Sequence, residues 1–369
     1  MNNNPNKCKV LMVVNGMTMG GIENFLMNIV RNIDRSKFYI EFLYCDTKDG
    51  YFDKELTERE IKYTKITSRS AGFKKHLKEL KEFFKINEFD AVHINYSNAL
   101  CITVARAAKK AGVKNIIVHS HNSKSSAKVQ KIHNLVKNFL PLYANKFCAC
   151  SQVAAEWMFS KRICRSGKVQ IVKNAIDVEK FCFKPAYRDE IKMEFNIEDK
   201  VVIGHIGRFI EQKNHKFLID IFERYHSKNE ESVMLLLGDG GLMAETVEYV
   251  KSRGLESSVI FAGVRDDIPR LLSAMDAFVM PSLFEGLPVT LVEAQASGLK
   301  VLASDSITKE VDLTDLIEYF SLSETAQDWA DKISMASDNR EKYSQMIAQS
   351  GFGIQEELRI IENIYTFNM

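Results

Sequence analysis

The chain lacks any apolar run long enough to cross a bilayer, which takes about 20 residues. Its first apolar run, Val10 to Val14, is short and follows a polar MNNNPNKCK start, unlike the opening of a signal peptide. Cysteine is sparse, at seven residues, and no two form a CxxC pair. The closest two, Cys148 and Cys150, alternate as they would on one face of a strand. Buried thiols in a reducing compartment fit this pattern better than a zinc site or a disulfide framework. There is no low-complexity segment, no short internal repeat and no GxGxxG dinucleotide fingerprint.

Acidic residues are missing altogether between Cys101 and Cys150. The net charge of +2 hides a division, with a balance of +15 in residues 1–180 and −13 in the remainder. A basic half suggests an anionic partner. Nucleic acid fits poorly, because the basic residues are mostly Lys without Arg clusters or interleaved aromatics. An anionic membrane surface is the other candidate.

What is present is alternation. At 369 residues the chain is long for one core and suits two domains. Short apolar runs predict strands at Lys9–Asn15, Tyr39–Cys45, Ala91–Ile94, Asn115–His119, Lys146–Cys150 and Val169–Val172, with helices such as Ile22–Ile33, Phe73–Ile86 and Ala99–Ala111 between them. After NAIDVEKFCFKP the pattern restarts, with strands at Val201–His205, Val233–Leu237, Val259–Phe261, Ala277–Met280 and Val301–Ala303. Both halves read as doubly wound α/β sheets, which bind ligands beyond the carboxyl ends of their strands. The expected domains are 1–180 and 181–369, with the last helix free to pack back on the first.

Four loops carry candidate chemistry. In NGMTMGGIENF, Gly20 and Gly21 precede a helix start and suit close approach of a phosphate, although a simple tight turn explains them equally. In IIVHSHNS, His119 and His121 share one face at a strand end. They fit packing or catalysis, and HxH also raises a metal, for which no third ligand lies nearby. In GHIGRFIEQKNHK, Arg208 and Lys213 flank a strand-end loop and suit a diphosphate, with two solvated surface cations as the plain alternative. In FEGLPVTLVEAQASG, Pro288 is expected at the first position of a helix, Pro288–Ser297, ended by Gly298. The free amides of that helix form an anion site, with Gly286 allowing close approach. Glu285 stands before them, and Glu293 lies behind them on a helix flank, where a ribose diol is a natural partner for a carboxylate. Helix-dipole complementarity for Glu285 and a solvated face for Glu293 are the plainer readings.

The Glu285–x7–Glu293 spacing, combined with GR-x4-K at Gly207–Lys213, resembles the retaining GT-B glycosyltransferases of family 4. The likeness spans nearly the whole chain, through MGGIENF, HSHN, KNAID, GDGG and FEGLPVTLVEAQASG, and is strongest to the exopolysaccharide and capsule branch. It implies a GT-B fold, with two Rossmann-like α/β domains facing each other across a cleft. It further implies hexosyl transfer with retention from a nucleoside-diphosphate sugar, with uridine the expected base. By that resemblance Arg208 and Lys213 hold the diphosphate, Glu293 the ribose, and Glu285 the donor sugar. Gly286, Leu287, Pro288 and Val289 offer amides to phosphate or sugar. Val264 lies in the base-binding loop. Gly20 and Gly21 close the site from the other domain, and His121 sits near the anomeric carbon.

No cofactor and no metal is expected, and the chain has no Asp-x-Asp, the metal signature of the other glycosyltransferase fold. The chain departs from the family pattern at Ala175, where many relatives have glycine. The expected partners are the nucleotide-sugar donor, a saccharide acceptor carried on a lipid, and an anionic membrane touched by Lys124, Lys128, Lys131, Lys137 and Lys146 beside Ile132, Leu135, Val136 and Phe139. The expected location is the cytoplasm, peripheral on the inner face of the plasma membrane. The competing readings are a sugar-nucleotide epimerase or phosphorylase of the same architecture, and a nucleotide-sugar-binding protein without catalysis.

Overall fold

The computed structural model describes residues 7–18, 20–122, 127–337 and 339–366. The chain forms two compact units, Met1–Ala175 with Ile354–Met369, and Ile176–Gly353. The division thus falls at 175/176 rather than 180/181, and the final helix is part of the first unit.

The first unit is built on seven parallel strands: β1 (Cys8–Val14), β2 (Phe38–Tyr44), β3 (Lys62–Lys65), β4 (Ala91–Tyr96), β5 (Asn115–Ser120), β6 (Lys146–Ala149) and β7 (Val169–Ile171). Their order in the sheet is β3-β2-β1-β4-β5-β6-β7. In register, Val10 of β1 lies between Ile40 of β2 and Ala91 of β4. Successive side chains of a strand point to opposite faces. Leu11 and Val13 accordingly enter one core, and Val10, Met12 and Val14 the other. A sheet covered on both faces needs such continuous apolar runs, which is why the strands were legible.

The helix Ile354–Thr366 shows why the chain's end returns to this unit. Ile354, Leu358, Ile361 and Tyr365 recur at helical spacing and enter the core beside Val10, Met12 and Phe38. The helix end is fixed from the sheet, because Asn115 Nδ2 donates to the carbonyls of Ile364 at 2.8 Å and Tyr365 at 3.1 Å.

The second unit holds six parallel strands: β8 (Val201–Ile206), β9 (Ser232–Leu237), β10 (Val259–Gly263), β11 (Ala277–Met280), β12 (Lys300–Ser304) and β13 (Ile317–Phe320). Their order is β10-β9-β8-β11-β12-β13. The winding therefore reverses between β8 and β11, as it does between β1 and β4 in the first unit. The strands missing from the sequence reading, β3 and β13, both lie at sheet edges. Their sequences, KYTK and IEYF, are short and half polar because an edge buries less. Among the described residues no helix is long and apolar enough to cross a membrane.

One buried cation organises the second unit. Arg340 is 4% exposed, and its guanidinium donates to the carbonyls of Ser297 (2.8 Å), Met275 (2.9 Å) and Leu272 (3.1 Å). These carbonyls lie just at or beyond the ends of the helices Ile268–Ala274 and Val289–Ala296, where backbone acceptors lack intrahelical donors and the dipole is negative. Gly298, at φ +68°, lies so close that a Cβ there would stand 2.7 Å from the Arg340 Cα. Replacing Arg340 with Met is expected to leave the Ser297 and Met275 carbonyls dry and unpaired, at a cost of at least about 2 kcal/mol. Urea unfolding checks this: the midpoint should fall while the slope stays unchanged.

Candidate functional site

In the second unit the candidate residues gather at the reversal between β8 and β11, where doubly wound sheets bind ligands. Beyond β8 the chain runs through Gly207 and Arg208 and is braced by the loop after β9. Gly207 N–H donates to the Leu237 carbonyl at 2.9 Å, and Phe209 N–H to the Asp239 carbonyl at 3.0 Å. This contact accounts for Gly238 and Gly240 of GDGG. Gly238 has φ +132°, and a Cβ on it would stand 2.1 Å from the Gly207 oxygen. On Gly240 it would stand 2.5 Å from the Phe209 oxygen. Arg208 is exposed, and its guanidinium meets no carboxylate among the described residues.

Lys213 and Glu285, 72 residues apart in sequence, form an ion pair at 2.7 Å with side chains only 14% and 10% exposed. Gln212, which sequence reasoning missed, donates to the other Glu285 oxygen at 3.1 Å and to the Phe284 carbonyl at 2.9 Å. The Leu283 N–H returns a bond to the Gln212 carbonyl at 2.8 Å. The two loops are thereby stitched together, and both oxygens of Glu285 are engaged.

The helix that follows runs Val289–Ala296, so Pro288 is its N-cap (φ −75°, ψ 90°) rather than its first residue. No side chain caps it, which leaves its first amides without a local acceptor. Leu287 and Val289 pack against the core and Pro288 is buried, so this segment turns its side chains inward and its backbone outward. A Cβ at Gly286 would meet nothing within 4 Å, consistent with open room there. Glu293 is half-buried rather than fully solvated on its helix face. Loss of hydration pushes its carboxyl up to about 7, and it has neither an ion-pair nor a hydrogen-bond partner among the described residues. Val264 is exposed and follows Gly263, whose carbonyl accepts from Gly238 N–H at 2.8 Å. Arg265, ion-paired to Glu194 at 2.6 Å and Asp267 at 2.8 Å, anchors that loop.

In the first unit, Gly20 is the N-cap of the helix Gly21–Asn32, at φ −160° and ψ 173°, and no side chain caps that helix. Neither Gly20 nor Gly21 has a positive φ, so the backbone angles do not demand glycine there. A Cβ on Gly21 would meet nothing within 4 Å, whereas on Gly20 it would meet the Glu23 carboxylate at 2.6 Å. His119 and His121 do share one face, with ring centroids 4.0 Å apart. His93 and Tyr365, unforeseen in the sequence, extend the cluster. The Tyr365 hydroxyl lies 2.8 Å from His93 Nδ1, and His93 Nε2 lies 3.1 Å from His119 Nδ1. His121 Nε2 is 2.9 Å from Asn95 Oδ1. Burial pushes His93 and His121 down to about 3 and His119 well below its ordinary value, so all three are neutral at pH 7.

The basic segment is partly described. Lys124 lies outside the described residues, as does the side chain of Lys128. The helix Ala127–Val136 turns His133 into the core, and the following turn buries Leu140. Ile132, Leu135, Phe139 and Leu142 are instead 50%, 67%, 49% and 56% exposed, a cluster of large apolar groups beside Lys131.

Glu293 supports a stability test with a defined sign. Its carboxyl is raised from 4.5 to about 7, so the folded chain retains a proton that the unfolded chain has lost between those values. Stability therefore falls as pH rises through this window, and the deficit is complete above it. Glu293→Gln is expected to be more stable than the native chain at pH 8, by on the order of 1–3 kcal/mol. The advantage should vanish towards pH 4.5, as read from unfolding midpoints across pH.

Family models match most of the chain: Glycosyltransferase Family 4 over residues 19–180 and Glycosyl transferases group 1 over residues 187–350. EpsF of Bacillus subtilis (strain 168), which carries the name of a glycosyltransferase, is 33% identical over 99% of this chain and 98% of its own. The capsular polysaccharide biosynthesis glycosyltransferase CapH of Staphylococcus aureus is 26% identical over 97% and 98%. The UDP-Gal:alpha-D-GlcNAc-diphosphoundecaprenol alpha-1,3-galactosyltransferase of Escherichia coli is 29% identical over 64% of each chain. Among solved structures, Anabaena HepE in complex with UDP-glucose superimposes with a TM-score of 0.75 at 20% identity, covering 96% of this chain and 98% of that one. The two parallel-sheet α/β units are those of the GT-B fold, and the chain belongs to the family 4 glycosyltransferases.

Proposed function

We propose that the protein transfers a hexose, with retention, from a uridine-diphosphate sugar to a saccharide acceptor carried on a lipid, in exopolysaccharide or capsule synthesis. The observation that carries the donor assignment is the set of unsatisfied groups at the β8/β11 reversal. These are a guanidinium without a carboxylate (Arg208), an uncapped helix start (Gly286 to Val289), and a half-buried carboxylate without a protein partner among the described residues (Glu293). A nucleoside diphosphate supplies what each lacks: phosphate oxygens for the first two and a ribose diol for the third. Val264 serves the base. The E. coli relative, whose name gives a UDP-sugar donor and a diphosphoundecaprenol-linked acceptor, and the UDP-glucose complex of HepE support the choice of donor and acceptor.

Charge collects on the leaving diphosphate as the glycosidic bond breaks. Arg208, the Lys213 ammonium and the helix amides stabilise it, and no metal is needed on this reading. Glu285, with both oxygens held by Lys213 and Gln212, orients the donor sugar and is not a covalent nucleophile. The leaving phosphate takes the acceptor proton. In the first unit, His121 serves the sugar and Gly20 and Gly21 lie at its strand-end loop.

A panel of nucleotide sugars offered with isolated cell lipids tests this reading. A UDP-sugar should be consumed in the presence of EDTA, and Arg208→Ala should lower kcat by roughly 10²–10³-fold. Slow release of UDP without acceptor should be lost in His121→Ala and in Glu285→Ala; unchanged release in both would sink these assignments.

The exposed apolar cluster at Ile132, Leu135 and Phe139, set in a segment free of acidic residues, supports seating on an anionic bilayer at the cytoplasmic face. In flotation with phosphatidylglycerol vesicles the protein should rise with the lipid. Reversing Lys128 and Lys131 and replacing Leu135 with Asp should abolish this and depress transfer to lipid acceptors, leaving UDP release intact.

A further inference from the structure

The turn between β3 and the helix Phe73–Ile86 carries a cation without a counter-charge. Arg69 is half-buried, and among the described residues its guanidinium makes no ion pair and no hydrogen bond. Its nitrogens keep contact with solvent. Partial loss of water lowers its proton affinity, and the ionisable groups that act on it are the Tyr96 phenol and the Cys101 thiol. Burial raises both of these above their ordinary values, so both are neutral at pH 7. A guanidinium that has lost water without gaining an anion is in an unfavourable state, which a phosphate group relieves through two parallel hydrogen bonds.

The cation is held in place. Thr67, at the root of the turn, donates from its N–H and its hydroxyl to Glu79, at 2.6 and 3.2 Å, and its carbonyl lies 2.9 Å from His76 Nδ1. The Ser68 carbonyl then accepts from the N–H groups of Ala71 and Gly72, at 3.2 and 3.1 Å, with Arg69 at the tip between them. Lys65 ends β3 and Tyr96 ends β4, so Arg69 stands at the carboxyl ends of the strands, where such sheets bind ligands. Lys74 and Lys75 follow in the first turn of the helix, where the dipole disfavours cations, and no acidic residue joins them there.

An apolar stripe begins at the same place. Phe73, Leu77, Leu80 and Phe84 follow the spacing of one helix face. Leu80 and Phe84 are buried in the core, whereas Phe73 is 52% and Leu77 40% exposed. The core-facing stripe is therefore left uncovered at its end nearest Arg69. Leu80 and Phe84 share their core with Leu140, so this helix covers the same face of the sheet as the turn that bears the exposed Phe139 and Leu142. A cation at the head of an uncovered apolar stripe matches an amphiphile, an anionic group joined to a hydrocarbon chain.

We propose that the first unit grips the acceptor by its lipid carrier: Arg69 binds the phosphate that joins saccharide to lipid, and Phe73 and Leu77 cover the start of the hydrocarbon chain. The purpose of the site rests on the lipid-borne acceptor proposed above; its chemistry does not. Recognition then depends on the carrier as well as the sugar, and a soluble saccharide of the same sequence forfeits both contacts.

Equilibrium dialysis of the full chain against radiolabelled farnesyl diphosphate, with UDP in excess to fill the donor site, tests this. Farnesyl diphosphate should bind, and inorganic diphosphate and farnesol should each bind roughly 10-fold or more weakly. Arg69→Gln should weaken binding of farnesyl diphosphate by roughly 10–100-fold, and Phe73→Ser by about 10-fold. Arg69→Lys, which keeps the charge but not the fork, should retain part of the affinity. With lipid acceptors isolated from cells, Arg69→Gln should raise the KM for the acceptor and leave that for the UDP-sugar unmoved. Equal binding of inorganic diphosphate, or full binding in Arg69→Gln, would overturn the proposal. If Arg69→Gln lost flotation with phosphatidylglycerol vesicles but kept farnesyl diphosphate, the surface would be a membrane contact instead. Binding that depends on Arg69 and Phe73 without transfer of any sugar would uphold this site and overturn the transferase reading.

Discussion

The ion pair between Lys213 and Glu285 is the contact around which the second unit's site is arranged. It joins the loop after β8 to the loop after β11, at the one place where the sheet reverses its winding. Such a pair, largely removed from water, adds little net stability, because dehydration of both charges offsets most of their attraction. Its consequence is register. With Gln212 bonded to the same carboxylate, the loop ahead of the helix Val289–Ala296 cannot slide relative to Arg208. Arg340 performs the complementary task at the far end of that helix, where it collects carbonyls that would otherwise be dry. The helix is held at both ends by cations from elsewhere in the chain, and no side chain caps its start.

The two units solve different electrostatic problems. The second presents an exposed guanidinium, a Lys–Glu ion pair, an uncapped helix start and a half-buried carboxylate. The first presents a stack of neutral imidazoles with a tyrosine and an asparagine, in which burial has removed every charge.

Legibility followed distance along the chain. The strands could be read because a sheet covered on both faces demands unbroken apolar runs; β3 and β13 escaped because edges relax that demand. His119 and His121 could be placed on one face from their spacing alone. Tyr365, 272 residues from the His93 it contacts, left no such local signal. Gln212 carried no mark of its own in the loop between Arg208 and Lys213. Glu293 could be located on its helix, but its loss of hydration depends on what packs around it.

The residues by themselves determined the alternation of strands and helices, the helix that begins after Gly286 and ends at Gly298, and the pairing of carboxylate and cation motifs that mark the family. These are local or combinatorial properties, set by backbone sterics, periodicity and composition. Only the tertiary structure decided that Lys213 and Glu285 form a largely buried ion pair, that Arg340 lies inside the fold, that the final helix belongs to the first unit, and that His93 stacks on His119. Each depends on burial and on partners remote in sequence, and the energy of a polar group is set by what replaces its water.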